Sequence, residues 1–156
     1  MLNKILIVIL FFGTTVYAQD DQWVVDGGIG ISNSTPSMKM LTVSLQEDAW
    51  GPLKQKFSVG GWLDSSATNK SSALISSQLG FEVNSNDILG GVFSGPCILT
   101  SKDSLLGGYF QFMSDLHLGI QDRDNNYFGL FYRHISSAGL ESPNIGRDVV
   151  GIEIRY

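Results

Sequence analysis

From about residue 22 onward, apolar and polar positions alternate with a period of two, and no stretch carries a helical period. In "WVVDGGIGIS", Trp23, Val25, Ile29 and Ile31 share one face, and Asp26, Gly28, Gly30 and Ser32 the other. "MLTVSLQ" sets Leu41, Val43 and Leu45 against Thr42, Ser44 and Gln46. "FSVGGWLD" sets Phe57, Val59 and Leu63 against Ser58, Gly60 and Asp64, and "ALISSQLGFEV" repeats the pattern with Gln78 and Glu82 on its polar side. "DILGGVFSG" is less regular but still reads as a strand. In "YFQFMSDLHLGI", Phe110, Phe112, Leu116, Leu118 and Ile120 oppose Gln111, Met113, Asp115 and His117. "YFGLFYRHIS" places Phe128, Leu130, Tyr132, His134 and Ser136 on one face, and "DVVGIEIRY" does the same with Asp148, Val150, Ile152, Ile154 and Tyr156. The pattern predicts about eight strands, separated by turn-rich pieces such as "SNSTPS", "DSSATNKSS", "NSND" and "QDRDNN".

Two architectures can use such strands. A soluble sandwich buries the apolar face and wets the polar one. A membrane barrel turns the apolar face to lipid and fills its interior with polar side chains, here Asp26, Asp64, Gln78, Glu82, Gln111, Asp115, His117, Arg133, Glu153 and Arg155. The chain ends on an aromatic residue, with apolar positions alternating back from it through Ile154, Ile152 and Val150. That ending is the form read by the outer-membrane barrel assembly machinery. The expected fold is therefore all-β: an eight-stranded antiparallel transmembrane barrel of the outer-membrane type.

The N-terminus supports export. "MLNKILIVILFFGTTVYAQD" has one lysine, an apolar run and small residues ending at Ala18, the layout of a secretory signal peptide. Residues 1–18 are expected to be that peptide, and 19–156 a single barrel domain in the outer membrane of a Gram-negative-type cell. The apolar run is too short for a membrane helix, which needs about 20 residues. With Cys97 the only cysteine, no internal disulfide can form. The net charge of −5 and the absence of any Lys/Arg cluster argue against a nucleic-acid partner.

Chemistry concentrates in "FYRHISSAGLESPNIGRD". With both termini in the periplasm, the seventh strand climbs outward, so His134 and Ser136 stand near its outer end, followed by an external loop. Parity turns Asp148 to the same outer wall. A serine hydroxyl needs a base to take its proton, and imidazole titrates near neutrality. A carboxylate behind the ring fixes its tautomer and stabilises the imidazolium. Donors for an oxyanion are available from the backbone of Ala138 and Gly139 and from the side chain of Asn144. Ester cleavage at a lipid surface is the reaction class this set serves.

"RHISSAGLESPNIGRD" resembles the signature of the lipid A 3-O-deacylase family, the PagL-like outer-membrane enzymes: His-x-Ser-Asn-Ala-Gly, then Pro-Asn-x-Gly, then an acid. The spacing matches from His134 through Ser136, Ala138, Gly139, Pro143, Asn144 and Gly146 to Asp148. "YFQFMSDLHLGI" is similar to the family's sixth strand, with Phe112 on its characteristic phenylalanine. The resemblance implies a lipid A 3-O-deacylase, hydrolysing the ester-linked 3-hydroxyacyl chain of lipopolysaccharide. In it His134 is the base, Ser136 the nucleophile and Asp148 the orienting acid, with Asn144 and the Gly139 region as oxyanion hole. Two positions depart from the family: Ser137 stands where it usually has Asn, and Asp148 where it usually has Glu.

Other residues have plainer readings. His117 faces inward beside Asp115 and belongs to an interior hydrogen-bond network. The glycines of "DGGIGIS" relieve crowding in a narrow barrel, and Cys97, next to Pro96, is expected in a loop. Phe112, Phe128 and Tyr132 are either lipid-facing bulk or walls of a groove for an acyl chain. No metal or organic cofactor is implied. Expected partners are lipid A or lipopolysaccharide, the surrounding outer-membrane lipid, the assembly machinery and, as an open possibility, a second copy in a homodimer. The alternatives are a non-catalytic small barrel, either a degenerate family member or an adhesion-type surface protein, and a soluble lipid-binding sandwich.

Overall fold

The computed structural model describes residues 21–31, 38–65, 70–102 and 105–156. The signal peptide expected at 1–18 lies outside the described residues. Eight strands follow one another: β1 Gln22–Gly30, β2 Met38–Trp50, β3 Leu53–Asp64, β4 Ser72–Ser85, β5 Ile88–Leu99, β6 Phe110–Gln121, β7 Tyr127–Ser136 and β8 Arg147–Arg155. Each pairs antiparallel with the next, and β8 returns to β1, so the sheet is a closed barrel with no free edge. The seam is sealed at its end by Trp23 and Tyr156, which exchange backbone hydrogen bonds of 3.0 and 3.1 Å.

The two rims differ. β2–β3 and β4–β5 turn within two residues, and Asn86 and Asp87 take the paired positive φ angles, 52° and 69°, that suit such hairpins. The β6–β7 connection is also short, closed by hydrogen bonds from the N–H groups of Asp124 and Asn126 to the Asp122 carboxylate, 2.9 Å each. The chain enters and leaves the barrel at this tight-turn rim. The β1–β2, β3–β4, β5–β6 and β7–β8 connections are longer and gather at the other.

The outer wall is apolar: Leu41, Val59, Leu118 and Leu130 are each 60% exposed or more. Inside, Lys56, Arg133 and Arg155 are buried almost without trace of solvent. Apolar side chains outside and charges inside are the inverse of a water-soluble protein, and closure removes the sandwich alternative.

Two layers fill most of the lumen, apart from a buried Arg147–Asp64 ion pair of 3.0 Å at the long-loop end. The middle and lower part is ionic. Arg133 reaches Asp26 at 2.9 Å and Asp115 at 2.7 Å, Lys56 meets Asp115 at 2.5 Å, and Arg155 joins Glu82 and Glu153. His117 faces this layer as expected, but its partner is Glu82, 3.1 Å away, because Asp115 is already committed to two cations. Below the long-loop rim, Met38, Met40, Trp62, Leu74, Leu99, Met113, Phe131 and Val149 form an apolar plug. Cys97 belongs to this plug, inside strand β5, and not to a loop. The weak alternation of β5 has the same cause: Leu89, Phe93, Cys97 and Leu99 point into the lumen, so both of its faces are apolar.

Candidate active site on the outer wall

The register of β7 and β8 sets His134 directly opposite Asp148. Their flanking residues, Arg133, Ile135, Arg147 and Val149, are fully buried in the lumen, so period-two geometry turns the pair outward. The side chains are 39% and 27% exposed, and His134 Nδ1 lies 2.7 Å from Asp148 Oδ1. An ionised carboxylate only accepts, so Nδ1 donates to it, and in a neutral ring Nε2 is then the nitrogen with the lone pair. Ser136 stands two residues further toward the long-loop rim on the same wall, opposite Phe112. Among the described residues no hydrogen bond joins the Ser136 hydroxyl to the ring. The imidazole and the carboxylate are thus engaged, with the alcohol beside them.

Asp148 has a second partner. Tyr132, two residues before His134 on the same face, donates its phenol to Asp148 Oδ1 at 2.6 Å. The sequence reads Tyr132 as lipid-facing bulk or a groove wall and gives no sign of this contact. Parity put it beside His134, but an aromatic ring on a lipid-facing wall usually needs no polar explanation.

The loop over residues 137–146 is built from the motif's small residues. Ala138 and Gly139 take φ angles of 51° and 82°, and Leu140 N–H closes the turn onto Ser137 C=O at 3.0 Å. The Ser137 N–H donates to Asn144 Oδ1 at 2.7 Å. That bond ties the amide by its oxygen and leaves its NH2 group as a donor. The Ser137 hydroxyl, buried, donates to Glu141 C=O at 3.2 Å and accepts from Glu141 N–H at 3.3 Å. The residue departing from the family pattern is therefore a pin that closes this loop. Ile145 N–H reaches Leu105 C=O at 2.9 Å, which docks the loop on the β5–β6 connection.

Gly146 is required by the imidazole. Its φ is 82°, and a Cβ there would come within 2.7 Å of His134 Cε1. The backbone of the returning strand passes against the ring edge with no room for a side chain.

A groove of about 570 Å³ begins at His134 and Tyr132 and runs across the outer wall. It passes Ser114 and Leu116 on β6, Val92 and Ser94 on β5 and Leu79 and Phe81 on β4, ending at Leu53 on β3. Of the three groove candidates read from sequence, Tyr132 lines it. Phe112 instead faces Ser136 across the strand pair and packs edge-on against Phe110, ring centroids 5.4 Å apart. Phe128 sits toward the tight-turn rim between Ile120 and Ile154, and takes no part in it. Among the described residues, no group of three or more His, Cys, Asp or Glu is placed to hold a metal ion.

The sequence model of the family described as "Lipid A 3-O-deacylase (PagL)" matches residues 38–156. The lipid A deacylase PagL of Bordetella bronchiseptica (strain ATCC BAA-588 / NCTC 13252 / RB50) is 39% identical over 54 residues, 35% of this chain and 30% of that protein. The match thus spans less than a third of that relative's length. The crystal structure of the outer membrane enzyme PagL superposes with a TM-score of 0.59 over 86% of this chain and 97% of the other, at 17% identity, a likeness of fold.

Proposed function

The chain belongs to the lipid A 3-O-deacylase (PagL) family, and from that premise we propose that it hydrolyses the ester-linked 3-hydroxyacyl chain of lipid A at the outer leaflet of the outer membrane. Ser136 attacks the ester carbonyl while His134 Nε2 takes the hydroxyl proton. Asp148 holds the ring through Nδ1 and stabilises the imidazolium as it forms. The oxyanion of the tetrahedral intermediate draws on the Asn144 NH2 group and the backbone N–H groups around Ala138 and Gly139. His134 returns the proton to the departing sugar oxygen, leaving the acyl chain on Ser136. Water, activated by the same imidazole, then releases the acid and restores the serine. The long-loop rim faces the cell exterior, and insertion depends on the barrel assembly machinery.

One observation carries this reading: the 2.7 Å His134–Asp148 pair stands on the lipid-facing wall, where an apolar groove begins at the same ring. A polar network meant only for stability belongs in the lumen, as that of Arg133 does; an ionisable pair facing lipid is costly unless it has work to do there. The serine completes the relay when substrate arrives, since catalytic hydrogen bonds commonly tighten only in the complex.

The test is mass spectrometry of lipid A from cells expressing the protein or its Ser136→Ala variant. A mass loss equal to one hydroxy fatty acid less one water, absent from the variant, supports hydrolysis. Identical spectra with both proteins folded in the membrane would leave a non-catalytic barrel.

A further inference from the structure

Two serines interrupt the apolar outer wall beside the site. On β5 and β6 the outward positions are otherwise Ile88, Gly90, Val92, Pro96 and Ile98, and Phe110, Phe112, Leu116, Leu118 and Ile120. Ser94 and Ser114 replace the pattern at one level, directly opposite each other, with their hydroxyls 2.8 Å apart. That level is the level of the site: Ser114 pairs with His134, and His134 with Asp148, so four polar residues form one row across β5, β6, β7 and β8. Both serines line the groove.

A hydroxyl facing hydrocarbon costs free energy unless it is bonded. One hydrogen bond between two hydroxyls uses one of two donors and one of four acceptor sites. The pair therefore retains a donor and acceptor capacity, presented to whatever fills the groove. Alanine would form an equally small floor without that cost, so smallness alone does not account for serine.

Resting on the hydrolase reading above, we propose that Ser94 and Ser114 recognise the hydroxyl on the third carbon of the acyl chain, making the groove selective for 3-hydroxyacyl over unsubstituted esters. The spacing agrees. Ser136 and Ser114 are diagonal neighbours across β6 and β7, a separation of about 7–8 Å. Two carbon–carbon bonds and one carbon–oxygen bond carry the hydroxyl about 4 Å from the carbonyl carbon held at Ser136. A hydrogen bond adds about 3 Å and closes the distance. A chain without the hydroxyl would leave the pair's remaining capacity unmet in a dry groove, which is how a polar site rejects an isostere.

The experiment compares wild type with the Ser94→Ala/Ser114→Ala double variant on two synthetic glucosamine 3-O-esters, one 3-hydroxytetradecanoyl and one tetradecanoyl. The expected wild-type preference for the hydroxylated ester in kcat/KM is about tenfold, and in the variant it falls to near unity. A preference of equal size in both proteins overturns the proposal, as does a variant that loses both esters in the same proportion. Calorimetric binding of free 3-hydroxytetradecanoate and tetradecanoate to the same two proteins gives an arm independent of turnover. Cleavage of neither ester by wild type would fail the hydrolase reading alone. Binding then decides the serine pair: a hydroxy-acid margin present in wild type and lost in the variant supports it, and no such difference rejects it.

Discussion

Tyr132 donates its phenol to Asp148 across 2.6 Å, onto the same carboxylate oxygen that lies 2.7 Å from His134 Nδ1. Three residues on two strands therefore meet at one atom. Aspartate has one rotatable bond fewer than glutamate, and here the strand register already brings its carboxylate to the ring. The phenol adds a second anchor, so the oxygen that faces the imidazole is fixed.

If that anchor positions the acid, Tyr132→Phe removes it while keeping the ring that lines the groove. The expected result is a fall in kcat of about tenfold, about 1.4 kcal/mol in the barrier, with KM little changed. A rise in KM at constant kcat would show instead that Tyr132 serves only as a wall.

Gly146→Ala is expected to inactivate without unfolding. The left-handed backbone costs a residue with a Cβ about 1–2 kcal/mol, well within what a barrel tolerates. The new methyl, however, meets the His134 ring at 2.7 Å and must displace it. Displacements of about 1 Å in a reacting group can cost about a hundredfold in rate. Turnover should drop by that order while the heat-dependent gel mobility of the folded barrel is retained; normal turnover would remove the steric argument.

Val92 lines the groove on β5, some distance beyond the imidazole. Val92→Trp should fill that part and shift the chain-length profile of accepted esters toward shorter acids, read by kcat/KM over a series of acyl lengths. An unaltered profile would mean that the chain does not follow this path.

The lumen offers a prediction about stability. Arg133→Leu strips Asp26 of two hydrogen bonds, at 2.9 and 3.1 Å, and leaves a buried carboxylate without its cation. Such losses cost about 3–5 kcal/mol, and the urea midpoint of unfolding in lipid should fall accordingly. An unchanged midpoint would show that the ionic layer holds without the guanidinium.

Much of this was legible along the chain because a strand has a strict period. Parity alone puts His134, Ser136 and Asp148 on one wall and Arg133, Glu153 and Arg155 on the other, and the barrel bears that out. What parity cannot supply is lateral neighbourhood. The groove crosses five strands, so its lining depends on the four registers between them, none of which is written locally. Phe128 shares a face with His134 and reads as either lipid-facing bulk or groove wall; only the register, which puts it at the far rim, leaves it as bulk. Ser94 and Ser114 are twenty positions apart and gain meaning only when pairing sets them side by side. Cys97 was misplaced for another reason: Pro96 suggested a break, but β5 continues through it.

The alternation of β7 ties competence to correct assembly. Arg133, His134 and Ile135 are consecutive, yet the first and last lie in the lumen and the middle one faces outward. A slip of a single residue between β7 and its partners would drive a guanidinium into hydrocarbon and draw the imidazole inside. One-residue slips are thus penalised by the bilayer itself, and stable insertion keeps the His134 imidazole and the Asp148 carboxylate on the same outer wall.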